Sequence, residues 1–209
     1  MKRYLTMGLA VALLTTALSG CAMLNNRKYD RELKTLLPGE SGFEWRYFGF
    51  AEYDHFMKLN SIETKGATTR YLISGEVGDP SGGESQKDHS LQIIYTINQG
   101  ALVQEKQEEM MMDSEFNRIE ILRGPVVKGS TWTQQQVDNQ GQTKTLDCVI
   151  EDVRIEQGIR TFVVFYRERN GVYYEKREIR EAVGITLCEK LWITPEENFV
   201  IGYYLFEGE

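Results

Sequence analysis

The sequence predicts a mainly β protein in which antiparallel sheets from two similar halves form a curved sheet or half-barrel with little helix. Three observations support this fold class: strand-like alternation of apolar and polar residues from Phe43 onward, turn signals between the alternating segments, and a motif that occurs twice. Only Glu105–Phe116 has a helix-like composition, and it lacks a clear apolar stripe. The chain holds only four prolines, so little of it is excluded from long strands.

Individual strands are marked by alternation and by the turns that follow them. Residues 91–98 alternate, and Asn98-Gln99-Gly100 then gives a turn with a glycine available for positive φ. Residues 162–166 are apolar on both faces, as expected of a central strand, and Asn170-Gly171 is a strong hairpin signal. Residues 185–193 and 199–206 alternate again, which indicates antiparallel neighbours near the end of the chain.

A repeated motif suggests that the β-rich part has two halves. The Pro-x-x-x-Gly-x-x-Trp pattern of Pro38–Trp45 recurs as Pro125–Trp132, at a spacing of 87 residues. Each copy opens a strand-rich stretch that reaches a turn glycine and then a β-branched and aromatic strand. The alternative is convergent turn chemistry at two strand starts. With a repeat, the halves are residues 38–124 and 125–209, which form one compact unit because each sheet needs a cover for its apolar face.

The first twenty residues are typical of a secretory signal peptide. Lys2 and Arg3 precede an apolar run of about 15 residues, which is too short to remain as a spanning helix. The run ends in Leu18-Ser19-Gly20-Cys21, which resembles the lipobox of bacterial lipoproteins. That resemblance implies cleavage before Cys21 and attachment of a diacylglyceryl group to its sulfur. Residues 1–20 are therefore predicted to be a lipoprotein signal peptide, and the alternative is an ordinary signal followed by a chance cysteine.

Residues 21–37 are predicted to be a lipidated tether. From Ala22 to about Leu36 the chain is polar and lacks strand alternation. Residues 29–37 are compatible with a short helix that carries Leu33, Leu36 and Leu37 on one side, whereas at least the first eight residues of the segment favour an exposed linker.

Charge excludes one class of partner. The chain has 24 basic and 31 acidic residues, and removal of residues 1–20 takes away two bases and no acids, so the net charge goes from −7 to −9. Phosphate backbones and anionic lipid surfaces repel such a charge, and no basic run overrides it. We therefore expect no nucleic-acid partner, and we expect membrane attachment to come from the lipid.

Outside the reducing cytosol, Cys148 and Cys188 can form a disulfide, and the alternative is two buried free thiols. No Cys-x-x-Cys pattern or histidine cluster indicates a metal site, and no motif indicates a cofactor. No catalytic residue is predicted either. His55 and His89 are the only histidines, Asp54 and His55 point to opposite faces of a strand, and no nucleophile motif accompanies them.

Aromatic residues are the most suggestive candidates for binding. They crowd both halves and fall on both faces of their strands, so that one face can be core while the other lines a groove for acyl chains, peptides or glycans. The candidate groove residues are Trp45, Tyr47, Trp132, Tyr174, Trp192 and Tyr204. The alternative is that most of them are core residues.

The motif that opens each half also resembles β-rich envelope lipoproteins of uncharacterised function in Gram-positive bacteria, a likeness that implies antiparallel sheets and no activity. The sequence thus predicts a lipoprotein anchored in the cell membrane and facing outside the cytoplasm, with an outer membrane as the alternative where the organism has one. The leading hypothesis is a non-catalytic binding or assembly role with an envelope protein as partner. The alternatives are a carrier or sensor of a hydrophobic ligand and, behind it, a hydrolase that uses carboxylates.

Overall fold

The computed structural model describes residues 27–50, 53–79 and 81–207. This part of the chain contains one α-helix, α1 (27–34), and twelve strands. The strands are β1 (Glu44–Gly49), β2 (Asp54–Lys65), β3 (Thr68–Val77), β4 (Ser90–Asn98), β5 (Ala101–Gln107), β6 (Arg118–Arg123), β7 (Thr131–Val137), β8 (Thr143–Glu156), β9 (Ile159–Glu168), β10 (Tyr174–Arg180), β11 (Gly184–Ile193) and β12 (Asn198–Leu205).

All twelve strands belong to one antiparallel sheet with the order β6-β5-β4-β3-β2-β1-β12-β11-β10-β9-β8-β7. The first six strands form one meander and the last six form another, and the two join where β1 pairs with β12. The prediction of a mainly β, antiparallel, curved sheet is confirmed. The helix-like composition of Glu105–Phe116 was misleading, because β5 runs to Gln107 and the rest is loop.

The two copies of the repeated motif hold matching places in the two meanders. Gly42 and Gly129 both have a positive φ, of 91° and 86°, which favours glycine. The Gly42 N–H donates to the Leu59 carbonyl at 2.7 Å, and the Gly129 N–H donates to the Ile150 carbonyl at 2.8 Å. Each accepting residue lies just before a register shift in the long second strand of its half. An internal repeat over the whole length of the halves stays a prediction, which their superposition tests.

Alternation along the strands places the core on the inner side of the sheet. In β7 every second residue is buried, and in β4 the buried positions are Leu91, Ile93, Tyr95 and Ile97, as the sequence pattern predicts. Most of the buried core side chains lie on this inner side, so the sheet wraps around its own core.

The edge strands β6 and β7 meet across a seam, and side chains join them. The Gln134 side-chain amide accepts a hydrogen bond from the Glu120 N–H at 2.8 Å and donates one to the Glu120 carbonyl at 2.9 Å. Arg118 reaches the Gln136 amide oxygen at 3.4 Å. The amide of Gln134 therefore takes the place that a neighbouring backbone would have in a ladder, and it satisfies edge groups that would otherwise be buried without partners.

Because the strands alternate in direction, their connections fall at two ends of the sheet. The upper end has the turns after β2, β4, β8 and β10, and α1 covers it. The Asp30 carboxylate accepts the Gly100 N–H at 2.7 Å, and the Ala182 N–H donates to the Thr35 carbonyl at 2.8 Å. Gly124 lies so close to Tyr29 that a Cβ there would sit 2.3 Å from the ring. The helix is thus fixed to several turns at once.

This packing shortens the predicted tether. Leu33, Leu36 and Leu37 are buried in the core, as an amphipathic helix requires. Residues 27–37 therefore belong to the folded unit and are not part of a free linker, which corrects the predicted boundary at residue 37. The physical reason is that the three leucines remove more apolar surface from water than an exposed linker would allow.

Residues 108–117, which we call the strap, cover the lower end. The Ser114 hydroxyl donates to the Glu175 carboxylate at 2.5 Å, and the Glu115 N–H donates to the Tyr173 hydroxyl at 3.1 Å. Phe116 is buried, and the Met110–Met112 segment packs partly buried against the core. The strap is thereby held by polar contacts to β10 and to the turn before it.

Candidate functional site

The interior behind the strap contains a buried ion pair. Strand alternation turns the side chains of Gln104 and Lys106 on β5 inward, and the strap brings Asp113 to meet Lys106. Both side chains are 1% exposed. Burial alone would raise the pKa of Asp113, but Lys106 and Arg177 outweigh it and hold the pKa below its usual range. Asp113 is therefore a buried carboxylate whose ionised form is stabilised by its cationic neighbours.

A second buried pair lies beside the first one, on β10. Arg177 donates to Glu175 at 2.9 Å and to the Gln104 side chain at 2.6 Å. Its guanidinium also lies over the Tyr166 ring, 5.5 Å from the ring centroid. The Tyr173 hydroxyl donates to Glu175 at 2.7 Å. Because their charges are satisfied inside the sheet, these side chains form a structural network that connects β5, β9 and β10.

His55 is buried among aromatic rings without a hydrogen-bond partner on either ring nitrogen. It stacks on Tyr47, with ring centroids 4.4 Å apart, and lies edge-on to Tyr203 at 4.7 Å. Burial lowers its pKa to about 3, so the ring is neutral at physiological pH. Asp54 is exposed on the other face, as strand alternation predicts. The hydroxyl of Ser114 donates to Glu175 and not to His55.

Near His55 a small cleft opens between β12 and the strap. Seven residues line it: Phe50, Tyr53, Met112, Asp113, Ile201, Gly202 and Tyr203. Among these described residues Asp113 is the single carboxylate. The cleft offers only about 10 Å³ to the centre of a water-sized sphere, far less than the 300–1,000 Å³ that is typical of ligand pockets. Polar atoms of Tyr53, His55 and Asp113 have no protein partner, and buried groups of this kind usually bind ordered water.

The outer face of β1, β12 and β11 carries a set of apolar side chains, interrupted by Glu189 and Gly202, which we call the outer strip. Its members are Phe48, Leu187, Leu191, Ile193, Val200, Tyr204 and Phe206. The strand register places Tyr204 beside both Phe48 and Leu187, and Val200 beside Leu191. Ile193, Val200, Tyr204 and Phe206 are between 46% and 56% exposed. Apolar side chains concentrated in this way on a sheet face are typical of an interaction surface.

The six predicted groove aromatics do not share one groove. Trp45, Tyr47 and Trp132 are buried on the inner side, where the Trp45 indole N–H donates to the Val183 carbonyl and the Tyr47 hydroxyl donates to the Ile185 carbonyl. Tyr174 and Trp192 are half-buried, and Tyr204 is exposed in the outer strip. The prediction of a single groove is wrong because strand alternation sends these side chains to different faces.

The predicted disulfide is also not formed, since Cys148 and Cys188 are both free and buried. Cys148 lies on β8 and Cys188 on β11, three strands apart in the sheet. Three strand spacings amount to about 14 Å, whereas a disulfide needs Cα atoms within about 7 Å. Burial raises the pKa of each thiol to about 12, so both stay protonated.

Cys21, the predicted lipid site, lies outside the described residues. Over residues 27–50, 53–79 and 81–207, no group of three or more histidine, cysteine, aspartate or glutamate side chains is placed to hold a metal ion. Over the same part of the chain, no helix has the length and apolar character needed to cross a membrane.

No protein-family model matches the chain, and no curated protein matches its sequence. Two solved structures match it. One is a candidate exported protein with a YmcC-like fold from Bacteroides fragilis, at 8% identity and a TM-score of 0.46, covering 81% of this chain and 96% of that one. The other is a candidate lipoprotein from Parabacteroides distasonis, at 11% identity and a TM-score of 0.41, covering 82% of this chain and 96% of that one. Neither match names an activity or a ligand.

Proposed function

We propose that this protein is a lipid-anchored lipoprotein of the cell envelope that binds an envelope protein through the outer strip and has no catalytic role. The observation that carries the binding role is the exposure of the outer strip on three adjacent strands. Removal of such a surface from water on association is favourable, at about 25 cal/mol per Å² of apolar area.

Lipid attachment is supported by the Leu18–Cys21 motif and by the position of the folded unit. The motif stands behind a basic start and an apolar run, and the described fold begins only six residues after Cys21. The predicted location is therefore a membrane surface outside the cytoplasm, with the folded unit close to it.

The packed interior favours binding at the outer surface over transport of a hydrophobic ligand. A carrier needs an enclosed pocket, whereas Lys106, Asp113, Glu175 and Arg177 fill the space behind the strap. A hydrolase that uses carboxylates needs two of them across a cleft, at about 5–10 Å, and Asp113 is bound to Lys106. These contacts support a binding protein with a structural interior.

A photoreactive amino acid in place of Tyr204, in living cells, tests the outer strip. We expect a discrete cross-linked adduct with another envelope protein from position 204. The matched control is the same amino acid in place of Ile155, which is 67% exposed at the β8–β9 hairpin. Adducts of equal intensity from both positions, or no adduct from position 204, would contradict the proposal. An adduct of twice the chain mass would replace the envelope partner by a second copy.

Metabolic labelling with a palmitate analogue tests the anchor. The wild-type chain should be labelled and recovered with membranes, and Cys21→Ser should lose both properties. Continued labelling of Cys21→Ser would refute lipid attachment at this residue while leaving the outer strip to its own test.

A further inference from the structure

We propose that the upper end of the sheet, where α1 lies, contacts the headgroups of anionic phospholipids and orients the folded unit on the membrane. The inference rests on the proposed attachment at Cys21 and adds a second, electrostatic contact to it. Three features carry the proposal: the charge of α1, the opposite charge of the lower end, and the short distance from Cys21 to the helix.

The first feature is the charge of α1. The helix carries four basic residues, of which Arg27, Lys28 and Arg31 are exposed and Lys34 is half-buried. Its two acidic residues are both engaged elsewhere: Asp30 is buried and accepts the Gly100 N–H, and Glu32 bonds to Arg160 at 3.2 Å. The surface of the helix is therefore cationic even though the mature chain carries a net negative charge.

The basic side chains converge on one place. Arg27, Arg31 and Lys34 line a shallow depression together with Asp30 and the turn residues Gly66 and Ala67, and the Asp30 carboxylate there accepts the Gly100 N–H. Arginine and lysine bind phosphate oxygens through charge-assisted hydrogen bonds. Within the described residues none of these three cations has a salt-bridge partner. They can therefore bind lipid phosphates without breaking such a contact.

The second feature is the opposite charge of the lower end. Five connections there (78–89, 108–117, 138–142, 169–173 and 194–197) carry ten acidic and two basic residues, whereas α1 and the upper-end connections (38–43, 66–67, 99–100, 124–130, 157–158 and 181–183) together carry four acidic and five basic residues. An anionic surface repels that end and attracts α1, so the charge distribution favours one orientation of the protein. A net charge of −9 for the mature chain hides this asymmetry.

The third feature is the length of the chain between the anchor and the helix. Five residues lie between Cys21 and Arg27, and this segment spans at most about 20 Å when fully extended. An acyl chain on Cys21 therefore keeps α1 within about 20 Å of the bilayer, so that the helix can reach the headgroups, whose field falls off within a Debye length of about 8 Å at physiological salt. The lower end lies at the far side of the sheet, away from the bilayer.

Sedimentation with vesicles tests the inference without the anchor. The protein is the chain from residue 21 onward with Cys21→Ser, which keeps the whole described fold. We expect binding to vesicles of phosphatidylcholine with 30% phosphatidylglycerol and much weaker binding to phosphatidylcholine alone. Each cation near the surface should raise the affinity roughly fivefold, so the double variant R27E/R31E should bind about 25-fold more weakly or worse. Higher salt should weaken binding of the wild type.

The matched control is K87E, which reverses one charge at the lower end, where Lys87 donates to the Glu109 carbonyl. K87E should alter binding less than twofold, whereas R31E alone should weaken it about fivefold or more. Equal losses in K87E and R31E, or equal binding to both kinds of vesicle, would overturn the inference. Displacement by millimolar inorganic phosphate at constant ionic strength would also overturn it, in favour of a free anion site. Because no lipid is attached in this assay, its failure is distinct from failure of the labelling test at Cys21.

Discussion

At the upper end, α1 and the turn after it cover the sheet with apolar side chains. At the lower end, the strap covers the sheet with the Asp113 carboxylate, which forms a buried ion pair with Lys106. Leu33, Leu36 and Leu37 need only an apolar neighbour and enough contact. Asp113 and Lys106 need each other, because a buried charge without a partner costs several kcal/mol. Closure by packing therefore tolerates small changes, whereas closure by an ion pair depends on both partners.

The largest expected effect comes from removing one partner of the ion pair. Lys106→Met should destabilise the fold by about 4 kcal/mol, because Asp113 is left buried without its main counter-charge. Urea unfolding measures the loss. The control is Lys58→Met, whose partner Glu44 is about half exposed, and which should cost less than about 1 kcal/mol. Equal losses in the two variants would mean that burial does not set the strength of the Lys106–Asp113 ion pair.

A smaller loss is expected at the upper end. Leu36→Ala removes a fully buried side chain and leaves a cavity, which should cost about 3 kcal/mol. Ile193→Ala is the exposed control and should change stability by less than about 0.5 kcal/mol. A negligible loss in Leu36→Ala, measured in the same urea titration, would show that the turn after α1 does not contribute to the core.

The pH dependence of stability should report the buried His55 near the lower end. Its folded pKa of about 3 is below the unfolded value of about 6.5, so the unfolded chain binds more protons in between. The contribution of His55 is therefore present above pH 6.5 and is lost as the pH falls towards 3. Between pH 7.5 and pH 5 we expect a loss of about 2 kcal/mol, which His55→Phe should abolish. An unchanged slope in His55→Phe would contradict the burial of a neutral ring.

The smallest expected effect is a change in the reactivity of the two buried thiols when the lower end opens. The Cys188 thiol contacts the Asp113 carbonyl, whereas Cys148 lies against the Gln134 amide near the seam. In Lys106→Met the strap should open more often, so that a maleimide labels Cys188 several-fold faster while Cys148 stays protected. Mass spectrometry of the labelled chain distinguishes the two sites. Equal acceleration at both cysteines would indicate global loosening and not opening of the lower end.

Most strands could be predicted from the sequence because their inner positions are apolar. The ionic interior could not, because its inward-facing residues are polar. β5 and β10 are rich in polar residues, so no apolar alternation shows that Lys106, Glu175 and Arg177 point inward. The available signal was their phase: Arg177 is two residues before the buried Ile179. The face that a polar strand turns inward depends on its neighbours, so only the sheet order resolves it.

For a related reason, the sequence could not show that the disulfide and the single groove are absent. Both depend on which strands are adjacent, and the alternation within a strand does not reveal that order. The helix at residues 27–34 was visible in the spacing of three leucines, but its docking onto the turns depends on contacts that are distant in sequence, such as Asp30 with Gly100.

A double-mutant cycle on Lys106 and Asp113 tests most directly whether an ion pair seals the lower end. Urea unfolding would compare the wild type, Lys106→Met, Asp113→Leu and the double variant. Each single change should cost about 4 kcal/mol, and the double variant should lie within about 1 kcal/mol of the wild type, since no buried charge is left unpaired. A double variant that loses the sum of the two single effects would show that the two side chains act independently, which would contradict the account.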